Sequence, residues 1–149
     1  MLENDLNMLY AEWDDEISDN LGSEILVSSG IYDFIVTKFE RGRFEGNEKI
    51  PPCNKAILTL RILTWEGSAF CKTELILHQS LEWRLSSFFR CIGEKRMGVP
   101  YTMNWDHVRG TRGCAKFDVQ IYIDSDGNDR GENVVTEYFD KIPDEQLFT

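Results

Sequence analysis

Residues 80–93 have the sequence SLEWRLSSFFRCIG, which combines start and stop signals for a helix with an apolar face. Ser80 is a favourable N-cap residue, Glu82 lies in the first turn, where the helix dipole favours an anion, and Gly93 follows the last apolar residue. The apolar side chains at helical spacing are Leu81, Leu85, Phe88 and Ile92. The pattern predicts one amphipathic helix whose apolar face packs against other elements.

Strand-like segments lie on both sides of this helix. Apolar and polar residues alternate over residues 30–39, 55–64, 69–78, 115–123 and 133–139. Three strands, a helix and two strands follow one another in the order of a five-stranded Greek-key barrel plugged by a helix. We therefore predict a mainly β fold, an oligonucleotide-binding-like (OB-like) barrel with one helix between strands 3 and 4.

The hairpin between the second and third strands predicts a concentration of positive charge. With Glu66-Gly67 as a two-residue turn, Arg61 lies directly opposite Lys72 on the outer face. Two cations in this arrangement repel each other unless an anion lies over them. Either a ligand or Glu74, which is diagonal to Arg61, supplies that anion.

The charge divides the chain into three parts. Residues 1–29 contain eight acidic residues and no Lys or Arg, and residues 140–149 contain three acidic residues against Lys141. The 15 acidic and 15 basic residues in between balance, so the net charge of −10 belongs to the ends. We predict an acidic arm (1–29) that is helical, docked or disordered, a barrel domain (30–140) and a short acidic tail (141–149).

The composition excludes several classes of protein. The apolar content of 42% is enough for a core without disulfides or metals, and the four cysteines form no C-x-x-C pair. The first residues lack the basic start and the apolar run of a secretory signal, and no apolar run reaches transmembrane length. We expect reduced thiols, no membrane segment and a cytoplasmic location.

Catalytic and metal-binding motifs are not recognisable in the sequence. No nucleophile elbow, Walker motif or paired metal-ligand motif is present. The turn that starts at Asp124 resembles a calcium loop, but its fourth position is Gly127 and its twelfth is Val135. We therefore expect a protein that is not an enzyme and that has no cofactor and no bound metal.

Basic and aromatic residues occur together in two loops and on one predicted sheet face. Proteins bind single-stranded nucleic acid with this combination, because cations contact the phosphates while aromatic rings stack on the bases. The alternative is an ordinary solvated surface, since acids and bases balance in the central domain. The predicted nucleic-acid-binding residues are Arg41, Arg43, Phe44, Lys49, Lys55, Arg61, Phe70, Lys72, Lys95, Arg96, Tyr101, Trp105, Arg109 and Arg112.

The order of several segments resembles a known family. These segments are GIYDFIV (30–36), the helix LEWRLSSFFRCIG (81–93), VRGTRG (108–113), the strand over residues 115–122 and NVV (133–135). They are similar to a family of bacteriophage proteins of nominally unknown function that are encoded among recombination and replication genes. The resemblance implies an oligonucleotide-binding fold and the binding of single-stranded DNA during phage recombination or replication in the host cytoplasm.

The C-terminal tail is similar in kind to the acidic tips of bacterial and phage single-strand binders. Such tips end in a hydrophobic residue and recruit enzymes, which implies that Leu147 and Phe148 bind a phage or host replication or recombination enzyme. The alternative is that the tail is a frayed end of the domain. Exposed strand edges would also allow a homodimer. A different hypothesis is that the chain is an acidic protein-interaction module, or an inhibitor, that occupies a host nucleic-acid enzyme.

Overall fold

The computed structural model describes residues 25–141, so most of the predicted arm and the tail from residue 142 lie outside the described residues. Within this range the chain forms five strands, one α-helix and two short 3₁₀ turns. The elements in chain order are β1 (Gly30–Phe44), β2 (Cys53–Ile62), β3 (Ala69–Ile76), a 3₁₀ turn (Gln79–Leu81), α1 (Glu82–Cys91), a second 3₁₀ turn (Trp105–His107), β4 (Arg112–Ile123) and β5 (Asp129–Phe139). The predicted mainly β class, with one helix beside five strands, is confirmed.

All five strands belong to one antiparallel sheet with the order β3-β2-β1-β4-β5. β1 is the central strand and pairs with both β2 and β4. β3 and β5 are the edges, and no ladder of backbone hydrogen bonds joins them within residues 25–141. The predicted barrel is therefore not closed, because the two edges approach each other without forming a strand pair.

A short N-terminal segment and one side chain fill the gap between β3 and β5. Asn133 of β5 is 6% exposed, and its Nδ2 donates to the carbonyl oxygens of Phe70 on β3 and of Ile25, both at 3.0 Å. Its Oδ1 accepts from the N–H of Val27 at 2.9 Å, and the N–H of Ile25 donates to the carbonyl oxygen of Ser68 at 2.9 Å. Asn133 and Ile25–Val27 form an edge seam in place of a ladder, so the folded unit includes residues that the sequence assigns to the arm.

The helix α1 contributes the centre of the core. Leu85, Phe88 and Phe89 are buried, and Phe88 has no exposed surface. The ring of Phe88 lies 5.3 Å from that of Phe89, 6.4 Å from that of Trp105 and 5.5 Å from that of Tyr138, centroid to centroid. The predicted apolar face is confirmed at Leu85, Phe88 and Ile92. Phe89, which the helical spacing did not select, also packs inward.

The start of the helix differs from the prediction, whereas its end agrees. α1 begins at Glu82, and a 3₁₀ turn precedes it. His78 rather than Ser80 caps this turn, since Nδ1 of His78 accepts from the backbone N–H of Ser80 at 3.1 Å. Gly93 follows the helix with a φ of +82°, a backbone conformation that favours glycine.

The helices of the described residues are all too short or too polar to cross a membrane.

A β-bulge in β1 changes which side chains face the core. The register between β1 and β2 shifts between Val36 and Lys38. Strict alternation predicts Phe39 on the face opposite to Val36, but after the bulge Phe39 pairs with the buried Leu58. Phe39 also stacks on Trp105, with ring centroids 5.3 Å apart. Lys38 consequently lies on the outer face, where alternation would not place it.

Replacing Phe88 by alanine should destabilise the protein strongly, because the buried ring would leave a cavity among the other aromatic residues. We expect Phe88→Ala to lower the free energy of unfolding by about 3–5 kcal/mol in chemical denaturation. Met97→Ala is the control, since Met97 is 69% exposed and its loss should cost about 0.5 kcal/mol. Equal losses for the two variants would contradict the assignment of Phe88 to the core.

Replacing Asn133 by alanine should open the edge seam, because the variant leaves the N–H of Val27 and two carbonyl oxygens without their partners. We expect Asn133→Ala to lower the free energy of unfolding by about 1–3 kcal/mol and to speed hydrogen exchange at Val27. The control is Asn54→Ala, because the exposed Asn54 side chain accepts one hydrogen bond, from Arg43 at 3.0 Å. Unchanged exchange at Val27 in the Asn133 variant would contradict the role of this side chain.

Candidate nucleic-acid interface

The outer faces of β1, β2 and β3 carry two rows of side chains in matched register. Cross-strand neighbours point to the same side of a sheet, so each row presents its members to one surface. The two rows are Lys38, Thr59 and Lys72, and Ile35, Arg61 and Phe70.

All of these residues except Ile35 line one groove of about 1170 Å³. Other elements form its walls: Ile25 and Leu26 of the N-terminal segment, Arg109 before β4, and residues of the β4–β5 hairpin that include Tyr122. Tyr122 is 43% exposed, so part of its ring is accessible to a ligand. We call this site the outer groove.

The outer groove contains more cations than carboxylates. Lys38 Nζ forms an ion pair with Glu40 at 2.9 Å. The hydrogen bond and charge of Lys38, together with the charge of Lys72, lower the pKa of the Glu40 carboxyl. None of the other groove cations forms an ion pair with another described residue. The charged groups of the groove are Lys38, Arg61, Lys72 and Arg109 against Glu40 and Glu132.

The predicted pairing of Arg61 with Lys72 is wrong. β2 ends at Ile62 and β3 begins at Ala69, so the connection is longer than a two-residue turn. The observed register places Arg61 opposite Phe70, and Lys72 lies diagonal to Arg61 on the same face. The diagonal placement lowers the repulsion between the cations and still directs both into the outer groove.

Four of the fourteen predicted nucleic-acid-binding residues come together in the outer groove. They are Arg61, Phe70, Lys72 and Arg109. Arg112 lies one strand further along the second row, because it stands opposite Ile35 in the register of β1 and β4. The prediction of a basic and partly aromatic sheet face therefore has a defined location on the molecule.

The residues predicted in the first loop, and Lys55 on the second strand, lie outside this groove. β1 extends to Phe44, so part of the predicted loop is strand. Lys55 Nζ forms an ion pair with Glu74 at 3.0 Å, and its side chain is 19% exposed. The guanidinium of Arg41 lies 3.8 Å from the carboxylate of Asp106. The members of this group that do not line the outer groove are Arg41, Arg43, Phe44, Lys49 and Lys55.

Of the two aromatic residues predicted before β4, one is buried and the other is partly buried against the core. Trp105 is 7% exposed within the aromatic core. Tyr101 packs against Phe89, with ring centroids 5.1 Å apart. The prediction that Trp105 stacks on bases is therefore wrong, because other protein rings already cover it. The two cations of this segment, Lys95 and Arg96, do not line the outer groove.

Sequence reasoning missed most of the residues that line the outer groove, among them Lys38, Glu40 and Tyr122. The alternation in β1 placed Lys38 on the face of Val36, and the bulge that reverses this order has no recognisable signal in the sequence. Tyr122 could have been found, because it falls on the polar side of the clearest strand pattern in the chain.

Three of the four cysteines are unsuited to nucleophilic chemistry. Burial raises the pKa of the Cys71 thiol to about 12 and that of the Cys91 thiol to about 11. Burial, followed by the charge of Asp33, also raises the pKa of Cys114. These thiols are neutral at physiological pH and react poorly. Among residues 25–141, no group of three or more His, Cys, Asp or Glu side chains is arranged to hold a metal ion.

No model of a known protein family matches the sequence, and no curated protein is significantly similar to it. Leu147 and Phe148, the predicted partner-binding residues, lie outside the described residues. Function must therefore be inferred from the geometry and charge of the groove itself.

Proposed function

We propose that this protein binds single-stranded DNA in the outer groove and that it does so without catalysis. The main support for this proposal is the composition of the outer groove, which crosses three strands and contains four cations and the rings of Phe70 and Tyr122. Cations neutralise phosphates and aromatic rings stack on unpaired bases, and neither interaction requires a positioned catalytic group. Bases within a duplex are already stacked on each other, so these interactions favour a single strand.

The two rows of the groove suit two kinds of interaction. Lys38 and Lys72 stand at the ends of one row, with a threonine between them, and can bind separate phosphates. Arg61 and Phe70 are neighbours in the next row and combine a cation with an aromatic face. A phosphate must compete with Glu40 for Lys38, whereas Arg61 and Lys72 have no such competitor among the described residues.

The strand order supports the proposal at the level of the fold. The sheet has the order β3-β2-β1-β4-β5, with a helix between β3 and β4. Five antiparallel strands that remain unpaired at one junction are consistent with the partly open five-stranded barrel of the oligonucleotide-binding fold. We infer an OB-like architecture and membership of the bacteriophage family that the sequence resembles. On this proposal the protein acts in phage DNA recombination or replication in the host cytoplasm, as a monomer or a homodimer.

We also propose that the residues before Ile25 compete with DNA for the outer groove. Ile25 and Leu26 line this groove, so the preceding chain starts at its wall. Residues 1–24 contain eight acidic residues and no Lys or Arg. Carboxylates tethered there can form ion pairs with Arg61 and Lys72 when DNA is absent. Because DNA must then displace them, the apparent affinity for DNA is lower.

The alternative hypothesis, an acidic protein-interaction module or inhibitor of a host nucleic-acid enzyme, treats the same acidic residues differently. On that hypothesis they are themselves the binding surface. Their neutralisation would then abolish inhibition and leave the affinity for an oligonucleotide unchanged.

Removing a groove cation should weaken DNA binding and reduce its dependence on salt. We expect Arg61→Ala and Lys72→Ala each to weaken the binding of labelled oligo-dT roughly tenfold at low salt. Each variant should also lower the slope of log affinity against log salt by about 0.7 for every phosphate that it no longer binds. Fluorescence anisotropy at several salt concentrations measures both quantities.

The matched control for these variants is Lys116→Ala. Lys116 is exposed on β4 and does not line the outer groove, so its removal deletes the same charge without altering the proposed binding surface. Equal reductions of affinity for Lys116→Ala and Lys72→Ala would indicate non-specific attraction. Failure of the unaltered protein to bind oligo-dT at low salt would exclude the proposed function.

Neutralising part of the acidic segment should tighten DNA binding. We expect the combined changes Asp14→Asn, Asp15→Asn and Glu16→Gln to tighten oligo-dT binding about threefold at low salt, and less at high salt, where the tethered charges are screened. The same anisotropy assay measures the change. The control carries Glu94→Gln, Asp118→Asn and Glu137→Gln, three changes outside the outer groove. An equal gain of affinity in the control would show that net charge alone causes the effect and would exclude the competition.

A further inference from the structure

A second groove, of about 800 Å³, lies between α1 and the segment over residues 95–103. Trp83 is 65% exposed, Val99 52% and Met103 39%, and a cluster of large exposed apolar side chains is typical of a binding surface. We call this site the helix groove. Its main side chains are Trp83, Leu85, Phe89, Val99, Tyr101 and Met103.

The described part of the chain ends beside the last turn of α1, and Phe89 in that turn lines the helix groove. The backbone N–H of Lys141 donates to the carbonyl oxygen of Arg90, in the last turn of α1, at 3.2 Å. The side chain of Lys141 covers Gly93, where an added Cβ would lie 2.8 Å from the Lys141 Cδ. Lys95 lines the helix groove, and its backbone N–H donates to the carbonyl oxygen of Phe89, in the last turn of α1, at 3.2 Å. Residues from 142 onward therefore start at the same end of α1 as Lys95.

We propose that Leu147 and Phe148 of the same chain occupy the helix groove. Phe148 follows Lys141 by seven residues, a stretch that reaches up to about 23 Å when extended. The ten residues of α1 are about 15 Å long. The tail is thus long enough to run back along the helix, and its apolar pair matches the apolar lining of the groove.

The order of charged and apolar residues along the tail matches their order along the helix groove. Asp144 and Glu145 precede Leu147 in the sequence. Lys95, which forms no ion pair with another described residue, lies at the end where the tail enters, and Glu82 lies at the other end, in the first turn of α1. A tail that runs from Lys95 toward Glu82 brings its carboxylates to the cation and its apolar pair to the apolar side chains beyond.

This docking has a consequence for partner recruitment. An enzyme that binds Leu147 and Phe148 must first displace them from the helix groove, so the tail is held back until a partner competes for it. The inference does not depend on DNA binding, because the helix groove and the outer groove share no lining residue.

Photo-crosslinking of the full chain tests the proposal. p-Benzoylphenylalanine replaces Phe148, and crosslinked peptides are identified by mass spectrometry after irradiation. We expect crosslinks to Met103, Val99 or Trp83 within one chain, at a yield that does not depend on protein concentration. A mixture of isotope-labelled and unlabelled chains distinguishes crosslinks within a chain from those between chains. Crosslinks between chains, crosslinks to other surfaces or a lack of crosslinks would overturn the proposal.

Two methionine variants test whether the groove itself is the binding surface. Met103→Glu introduces a charge into the helix groove and should lower the crosslinking yield roughly tenfold, because an unpaired charge is costly in an apolar site. Met97→Glu is the matched control, since Met97 is 69% exposed in the same segment and does not line the groove. Circular dichroism verifies that both variants fold. Equal yields for the two variants would contradict docking in the helix groove, whatever their affinity for oligo-dT.

Discussion

Asn133 joins the two edges of a sheet that has no strand pair to close it. It is the one buried polar residue among residues 25–141, and its amide bonds three backbone groups, on Ile25, Val27 and Phe70. A buried amide is stable only when its donors and acceptors have partners, so this side chain fixes β3 and the N-terminal segment relative to β5. The edge seam thereby holds the sheet around α1 and also forms one wall of the outer groove.

The two faces of the sheet use aromatic residues in different ways. Phe88 and Trp105 fill the inner face together with α1, where burial of their rings stabilises the fold. Phe70 and Tyr122 line the outer groove, where rings remain accessible to a ligand. A sequence rich in both basic and aromatic residues therefore overstates the number of rings that can stack on bases, because the core requires most of them.

The net charge of the chain comes from its two ends and not from its binding surface. Residues 25–141 contain 16 acidic and 16 basic residues, so the whole net charge of −10 belongs to residues 1–24 and 142–149. Attraction of a polyanion is screened over about 8–10 Å at physiological ionic strength. The local surplus of cations in the outer groove therefore matters more for binding than the total charge of the protein.

The type of each element was predictable from the sequence alone, because strand alternation and helix spacing depend only on neighbouring residues. Such local patterns indicate the five strands, the apolar face of α1 and the end of this helix before Gly93. Which residues share a surface depends instead on the tertiary structure. The bulge after Val36, the pairing of Arg61 with Phe70 and the edge seam had no local signal. Asn133 bonds partners up to 108 residues away in the chain, and hydrogen bonds over such separations form only when the whole sheet is assembled.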